Sequence, residues 1–268
     1  MSNPPVIRHP FFGPAMPGRN WIPAPRYVLR RDRVFRALNG VSPCRVLDIG
    51  CGPATLLSEL NDRGFETFGV DRSEPALELA RLVSQGQEGM TLQAELDPAW
   101  KGTFDVVCSF EVIEHLDDDV GAMREWRDYL SETGRLILST PAHPKRWNAA
   151  DVWAGHVRRY ERKGLQHALE QAGYVVEHIE CYGFPLANVM EVLRARTYAR
   201  ELEKEAKSSK NADDLTGESG TDRSAESRFW SLYSSWPAAL AMRVFCQMQR
   251  PFLQTDFGNG FLVVARAA

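Results

Sequence analysis

The segment Val46–Thr55, VLDIGCGPAT, constrains the fold of this chain more than any other. A short apolar strand carrying Asp48 reaches two glycines one residue apart and then enters a run with helical spacing. A strand that turns this sharply into a helix uses the helix as a crossover, and the next strand returns parallel to the first. Glycine permits the tight turn and lets a ligand approach the backbone where a Cβ would stand.

The unit repeats along the chain. Thr55–Asn61 places Leu56, Leu57 and Leu60 on one helical face, and Gly64 stops that helix. Thr67–Val70 reads as the next strand and ends at Asp71; Ser73 can cap a helix that carries Leu77, Leu79, Ala80 and Val83. Thr91–Ala94 predicts a third strand and Phe104–Phe110 the clearest buried one. A helix over Asp119–Leu130 and a strand over Arg135–Thr140, stopped by Pro141, complete the series. Such alternation predicts an α/β fold: a doubly wound, Rossmann-like, mostly parallel sheet with helices on both faces.

The flanks do not follow the repeat. The Pro- and Gly-rich first 25 residues are expected to lie over the surface without a regular element, followed by a helix over Arg26–Leu38. Beyond Pro141, a loop rich in Trp and His, Ala142–Val157, precedes a helix near Arg162–Ala172 and a strand over Tyr174–Tyr182. The last strand, Phe261–Ala265, comes only after a long excursion. Phe184–Arg200 and Phe229–Phe252 are apolar enough for packed helices, whereas Glu201–Arg228 is too polar to bury itself and reads as flexible. The expected organisation is an N-terminal extension and helix over 1–43, a core over 44–182, a helical insertion over 183–258 with a flexible segment near 203–227, and the last core strand over 259–268.

The net charge of −3 and the lack of a Lys/Arg stripe argue against a nucleic-acid partner. Cys44, Cys51, Cys108, Cys181 and Cys246 are odd in number and scattered, so neither a disulfide framework nor a zinc site is expected, and no residue is assigned to a metal. No secretory signal and no membrane-length apolar run is read, and the expected location is the cytoplasm.

Asp71 sits at the end of the second strand, where a carboxylate can accept hydrogen bonds from both hydroxyls of a ribose. Two glycines and this acid also suit a dinucleotide site, but the third glycine of G-x-G-x-x-G falls on Thr55. Asp48 would repel a pyrophosphate, whereas a ligand bearing a sulfonium and an ammonium gains from a nearby negative charge.

With these residues the chain resembles the class I S-adenosylmethionine-dependent methyltransferases. LDIGCGPA is similar to their glycine-rich motif, with Ala54 in place of the common third glycine, and GVDRS (Gly69–Ser73) to their ribose-binding segment. LQAELD stands where the family reads adenine, with Glu95 replacing the commoner Asp; FDVVCSFEVIEHL (Phe104–Leu116) is the most specific match. The resemblance covers roughly residues 44–182 and continues through GRLILSTPA and GHVRRYERKGLQHALEQAGY. WIPAPRYVLR is similar, less specifically, to N-terminal regions that close over the cofactor. The resemblance implies S-adenosyl-L-methionine as cofactor, S-adenosyl-L-homocysteine as product and an antiparallel last strand. It also implies that Asp48, Gly50 and Gly52 flank the methionine part, with Cys51 among the cofactor-binding residues, Asp71 on the ribose and Arg72 beside the adenine. Glu95 and Leu96 would take the adenine edge; Phe110 and Glu111 would lie near the sulfonium, and His115 would close the set.

For the acceptor the signals are weaker. His143 and His156 lie where the open end of the sheet would face substrate, and either could take a proton from a hydroxyl or amine. His115 has the alternative of packing against strand ends, and Lys145 and Arg146 read as a solvated face. The aromatic stretch Phe229–Phe252 reads as a packed helix, as the wall of an apolar substrate pocket or, with few basic residues, only weakly as a helix on a membrane surface. The expected function is methyl transfer to a small apolar or aromatic acceptor, with O- or N-methylation favoured. The alternatives are a protein or RNA acceptor, a nucleotide-binding oxidoreductase, and a binding protein that keeps the fold without transfer.

Overall fold

The computed structural model describes residues 5–205 and 227–268. Seven strands form one sheet in the order β5-β4-β3-β6-β7-β9-β8: β3 Arg45–Ile49, β4 Glu66–Val70, β5 Met90–Gln93, β6 Phe104–Phe110, β7 Leu130–Pro141, β8 Tyr174–Tyr182 and β9 Gly260–Ala267. The ladder from β5 to β7 is parallel, and β9 runs antiparallel to both β7 and β8. Chain order reverses between β3 and β6: the sheet first grows outward through β4 and β5, then returns to the other side of β3. That switch opens a crevice beyond the carboxyl ends of β3 and β6, the place where open α/β sheets bind ligands.

Side chains alternate across the sheet with period two. Val46, Val106, Cys108, Ile137 and Leu262 point to one face, covered by α1 (Pro25–Ala37), α2 (Thr55–Asn61) and a helix of the insertion. Leu47, Val107, Leu136, Leu138 and Val263 point to the other, under α4 (Asp119–Arg127) and α6 (Arg162–Gln171). The second crossover helix, α3 (Glu74–Val83), is capped by the Ser73 hydroxyl, which accepts from the Ala76 N–H at 3.4 Å.

Two expectations are corrected. The N-terminal segment does form regular structure: β1 (Ile7–His9) pairs antiparallel with β2 (Gly13–Ala15), and Phe12, Ala15, Met16 and Trp21 are buried. The His9 imidazole accepts the N–H groups of Phe11 and Phe12 at 3.1 Å, which closes the hairpin. Arg8 staples it to α2 and α3 through Ser58 Oγ at 2.9 Å and the Val83 carbonyl at 3.0 Å. Pro10 and Pro14 do not prevent this, because a two-stranded ribbon needs few ladder hydrogen bonds and tolerates proline. The Trp- and His-rich loop, in turn, contains a short helix, α5 (Ala149–Ala154), which starts at a capping box between Asn148 and Asp151.

Between β8 and β9 the chain forms α7 (Leu186–Glu205), α8 (Trp230–Tyr233) and α9 (Trp236–Met248). Most of the polar segment expected to be flexible, 203–227, lies outside the described residues. Ala239, Met242 and Cys246 of α9 pack inward with α1, while Trp236, Leu240 and Val244 are exposed. Trp230 and Tyr233 stack around Phe12 of the hairpin at 6.2 and 4.5 Å between ring centroids. The inner face of this aromatic stretch is therefore a packed one. Among the described residues no helix is long and apolar enough to cross a membrane.

Candidate functional site

The crevice has two sides. On the first, β3 ends in a turn whose Gly50 and Gly52 adopt φ +77° and +53°. A Cβ on Gly50 would lie 2.4 Å from Val112 Cγ2, so this turn passes too close to the segment after β6 to admit a side chain. A Cβ on Gly52 would meet nothing within 4 Å; here the backbone borders open space. Gly50 and Cys51 donate to the Val70 carbonyl at 2.8 and 3.1 Å, which ties the turn to the end of β4.

Asp71, just past β4, holds that geometry. Its Oδ2 accepts from the Gly52 N–H and its Oδ1 from the Ser73 N–H, both at 2.8 Å. An ionised carboxylate offers about four acceptor sites, so roughly half remain for a ligand. Asp48 is 3% exposed and its Oδ1 has no hydrogen-bond partner. Burial pushes its pKa up to about 7, against the pull of Arg30 and with a further push from Asp71. A buried carboxylate poised this way beside an open glycine turn suits a ligand that brings positive charge.

The remaining residues expected on this side are less engaged. Arg72 and Glu95 are exposed; the Glu95 carbonyl accepts from Gln93 Nε2 at 2.7 Å. Leu96 is partly buried against the cluster that contains Ile49 and Val70. The Cys51 thiol is half-buried, and burial with the charges of Asp48 and Asp71 pushes its pKa well above the usual value. Thr55, in the third-glycine position, is buried and its hydroxyl lies 2.9 Å from Tyr27 Oη of α1.

The second side follows β6. Phe110 ends the strand, and Glu111 turns away at φ +61° with its N–H on the Ser139 carbonyl. Its carboxylate accepts from Ser139 Oγ at 2.9 Å and Tyr182 Oη at 3.1 Å. It also pairs with Arg26 at 2.6 Å and Arg30 at 3.5 Å, both from α1. Burial opposes its ionisation, but Arg26 and Arg30 prevail and hold its pKa down to about 2. The Nε and Nη2 atoms of Arg26 are buried without a hydrogen-bond partner, leaving one edge of the guanidinium free to receive an anion. Arg30 lies 5.1 Å from the Phe110 ring. Sequence reasoning flagged the region of Arg26 and Arg30 but neither residue, because a helix of mixed Arg and apolar residues gives no hint of which cation points inward.

One turn later comes Glu114, fully buried, its Oε2 accepting from Thr140 Oγ1 at 3.1 Å and its Oε1 without a partner. Burial and the neighbouring Glu111 push its pKa well above the carboxylate range. His115 beside it has an unpartnered, buried Nδ1, and burial with the adjacent His156 lowers its pKa to about 4. The His156 ring stands 4.8 Å away, edge to face. His156 reaches this place because the Val157 N–H donates to the Glu114 carbonyl at 2.8 Å, which sews the loop after α5 to the turn after β6. Its Nδ1 is fixed by Asp151 Oδ1 at 2.9 Å; Arg159 grips the same carboxylate from Nε and Nη2 at 2.6 and 2.7 Å and reaches Glu191 of α7 at 2.7 Å.

The structure thus brings His115 and His156 together beside Glu114, and does not bring His143 to them. His143 lies 3.7 Å from Cys181 Sγ and 3.6 Å from Glu161 Oε2, and its ring packs on Phe261. Cys181 and Phe261 belong to the α4/α6 face of the sheet, whereas Phe110 and Tyr182 belong to the α1 face.

The acidic glycine turn follows β3, and the carboxylate and imidazole cluster follows β6, on the two sides of the point where the strand order reverses. The family model for a methyltransferase domain matches residues 24–179, more than half of the sequence. The chain belongs to that family, the class I S-adenosylmethionine-dependent methyltransferases. It is similar to the ubiquinone biosynthesis O-methyltransferase of Alkalilimnicola ehrlichii, 32% identical over 143 residues that cover 51% of this chain and 58% of that one. The chain therefore spans little more than half the length of such curated relatives. Among solved structures, the fold is shared with the cyclase SpnF (TM-score 0.55, 16% identity, 98% of this chain and 88% of that one). It is shared as well with an S-adenosylmethionine-dependent methyltransferase from Mesorhizobium loti (TM-score 0.53, 18% identity, 91% and 98%). A cyclase and a methyltransferase on one fold show that the scaffold alone does not choose the chemistry.

Proposed function

We propose that the chain transfers the methyl group of S-adenosylmethionine to a hydroxyl of a small, apolar or aromatic acceptor. The observation that carries the cofactor half is the buried, unpartnered Asp48 carboxylate beside the open backbone of Gly52. The free acceptor sites of Asp71 would take the ribose hydroxyls, and Gly50, Cys51 and Gly52 would border the methionine part. Arg72, Glu95 and Leu96 would lie along the adenine. The free edge of Arg26 is the matching group for the methionine carboxylate, since Nε and Nη2 together form a bidentate donor. Phe110 and Glu111 would flank the sulfonium. The buried Thr55 side chain, where a dinucleotide site keeps glycine, argues against an oxidoreductase.

The O-methylating relative supports the acceptor half. In the transfer, the acceptor oxygen attacks the methyl carbon in line; the C–O bond forms as the C–S bond breaks, and the electron pair leaves on sulfur as a neutral thioether. The cofactor supplies the electrophile, so the residues of this chain align the partners and exclude water. The acceptor hydroxyl must also shed its proton, and Glu114, His115 and His156 are the groups grouped at that end. A groove of about 530 Å3 between Arg146, Asn148, Val192 and Arg196 borders Glu191, which Arg159 ties to the Asp151 carboxylate beside His156.

Calorimetry with S-adenosylhomocysteine, followed by transfer of a labelled methyl group to a panel of phenols, catechols and amines, tests the proposal. Saturable binding and label in an O-methyl product are expected. No heat at millimolar ligand rejects the cofactor, and label appearing only in protein or RNA rejects the acceptor class.

A further inference from the structure

Glu114, His115 and His156 form a group that a methyl donor alone does not explain. Each offers one ligating atom, and the three atoms lie within 4.8 Å of one another. Glu114 Oε1 and His115 Nδ1 are both buried with no hydrogen-bond partner. Leaving such polar atoms unsatisfied opposes folding, a cost that a fold does not ordinarily carry twice at one place without use. Glu114 also makes no ion pair among the described residues, although its neighbours Glu111 and Asp151 are each gripped by arginines.

We infer that Glu114, His115 and His156 bind one divalent transition-metal ion, with Asp151 as the carboxylate that orients His156. Two imidazoles and one carboxylate suit zinc, manganese, iron or cobalt, whereas magnesium prefers an all-oxygen shell. Ligands of such ions stand at about 2.0–2.2 Å, so the three side chains draw inward slightly around the ion. Asp151 supplies the second feature of a built site. Metal-bound histidines donate their other ring N–H to a carboxylate or carbonyl, which fixes the tautomer. His156 Nδ1 lies on Asp151 Oδ1 at 2.9 Å, and this leaves its Nε2 for the ion. Arg159 holds Asp151 bidentately, so the carboxylate keeps its charge and its direction.

Three protein ligands leave open positions. Resting on the methyl-transfer reading above, an open position takes the oxygen of the acceptor hydroxyl. Bound to a dication, that oxygen releases its proton to solvent and meets the methyl group as an alkoxide or phenoxide. His156 then serves as a ligand rather than as the proton acceptor. The sequence assigned no metal here because Glu114 and His156 lie far apart in the chain and neither belongs to a helical His-x-x-x-His or Cys-x-x-Cys pair.

The test uses the full chain stripped with EDTA and desalted. Mn2+ binding is followed by electron paramagnetic resonance and Zn2+ binding by calorimetry, with Mg2+ as a comparison. One equivalent of Mn2+ or Zn2+ is expected to bind at least tenfold more tightly than Mg2+. Glu114→Gln and His115→Ala should each weaken binding at least tenfold, with folding checked by circular dichroism. Asp151→Asn keeps all three ligands and should weaken binding about 10- to 100-fold, the usual effect of losing an outer partner. A stripped wild-type chain that takes up neither ion at millimolar concentration, or Glu114→Gln binding as tightly as wild type, overturns the inference. S-adenosylhomocysteine binding is measured on the same metal-free sample. Intact cofactor binding without metal binding sinks only the metal site; metal binding without cofactor binding sinks only the methyl-transfer reading.

Discussion

The two sides of the crevice are built in opposite ways. The β3–β4 side is mostly backbone: a glycine turn, held by Asp71 through two N–H groups and tied to Val70. Its parts come from residues 48–73, close together in sequence. The β6–β7 side is mostly side chains, and they converge from α1, β6, β7, α5, β8 and α7: Arg26, Glu111, Ser139, Asp151, Tyr182 and Glu191. A cofactor common to a whole family can be held by a local backbone shape. An acceptor that differs between enzymes calls for side chains, which can be exchanged without rebuilding the fold.

The sharpest test of the backbone side is Gly50→Ala. The added Cβ combines a left-handed φ, costing about 1–2 kcal/mol for an L residue, with a clash against the stiff Val112 side chain, costing about 1–3 kcal/mol. A loss of about 3 kcal/mol is expected, or a fall of about 10 °C in Tm. Gly52→Ala carries only the backbone cost of about 1–2 kcal/mol, since no atom stands in the way of its Cβ. Its cofactor affinity should nevertheless drop. If thermal melts place the two variants at equal stability, the close approach between the two sides is wrong.

On the side-chain half, Glu111→Ala leaves Arg26 and Arg30 facing each other without their counter-charge. Breaking a fully buried pair costs about 3–5 kcal/mol. Glu111 is 20% exposed and Arg26 25%, so screening reduces the expected loss to about 2 kcal/mol. Arg30→Ala should cost less, because the shorter Arg26 pair survives. A Glu111→Ala chain as stable as wild type in urea would show that the arginines have other partners.

Asp71→Ala returns to the backbone side with a binding readout. Hydrogen bonds to charged groups contribute about 1.5–3 kcal/mol, and the carboxylate also fixes Gly52. A loss of about 1.5–2 kcal/mol in S-adenosylhomocysteine binding is expected, some 10- to 30-fold in Kd. Calorimetry giving an unchanged Kd would remove Asp71 from the ribose.

What could be read from the sequence follows the same division. The parallel sheet and its strands were legible because a buried strand, a glycine turn and an amphipathic helix are local patterns; Thr55–Asn61 and Tyr174–Tyr182 carry the predicted bounds. The N-terminal hairpin was not legible. Seven prolines among its first 25 residues mask a ribbon that depends on the His9 ring and on Arg8 reaching Ser58, fifty positions away. At the site, Asp48, Gly50, Gly52 and Asp71 lie within one βαβ unit and could be placed together. Arg26 and Asp151 could not, since their roles arise only when α1 and α5 pack against the sheet ends. His143 and His156 looked alike in the sequence, and the fold separates them: one faces Cys181 and Phe261, the other His115 and Glu114.

The most gradual effect is the pH dependence that Asp48 imposes on the backbone side. Its folded pKa of about 7 lies above the ordinary 3.8, so the protonated form is favoured by folding. The associated stability is fully present below about pH 4 and is lost as pH rises through about 7. Cofactor binding runs the other way. A ligand carrying a sulfonium and an ammonium favours the ionised carboxylate, and its Kd should fall by at most tenfold per pH unit up to about pH 7, then level off. Uncharged at sulfur, S-adenosylhomocysteine should show a shallower slope than sinefungin or S-adenosylmethionine, which carry the extra positive charge. Asp48→Asn removes the titrating group and should flatten all of these curves. Calorimetry from pH 5.5 to 8.5, at about half-unit steps around the pKa, reads the slope directly. A slope that persists in Asp48→Asn would transfer the titration to Asp71, whose pKa burial also raises. The charge complementarity of the glycine turn would then rest on the ribose-side carboxylate instead.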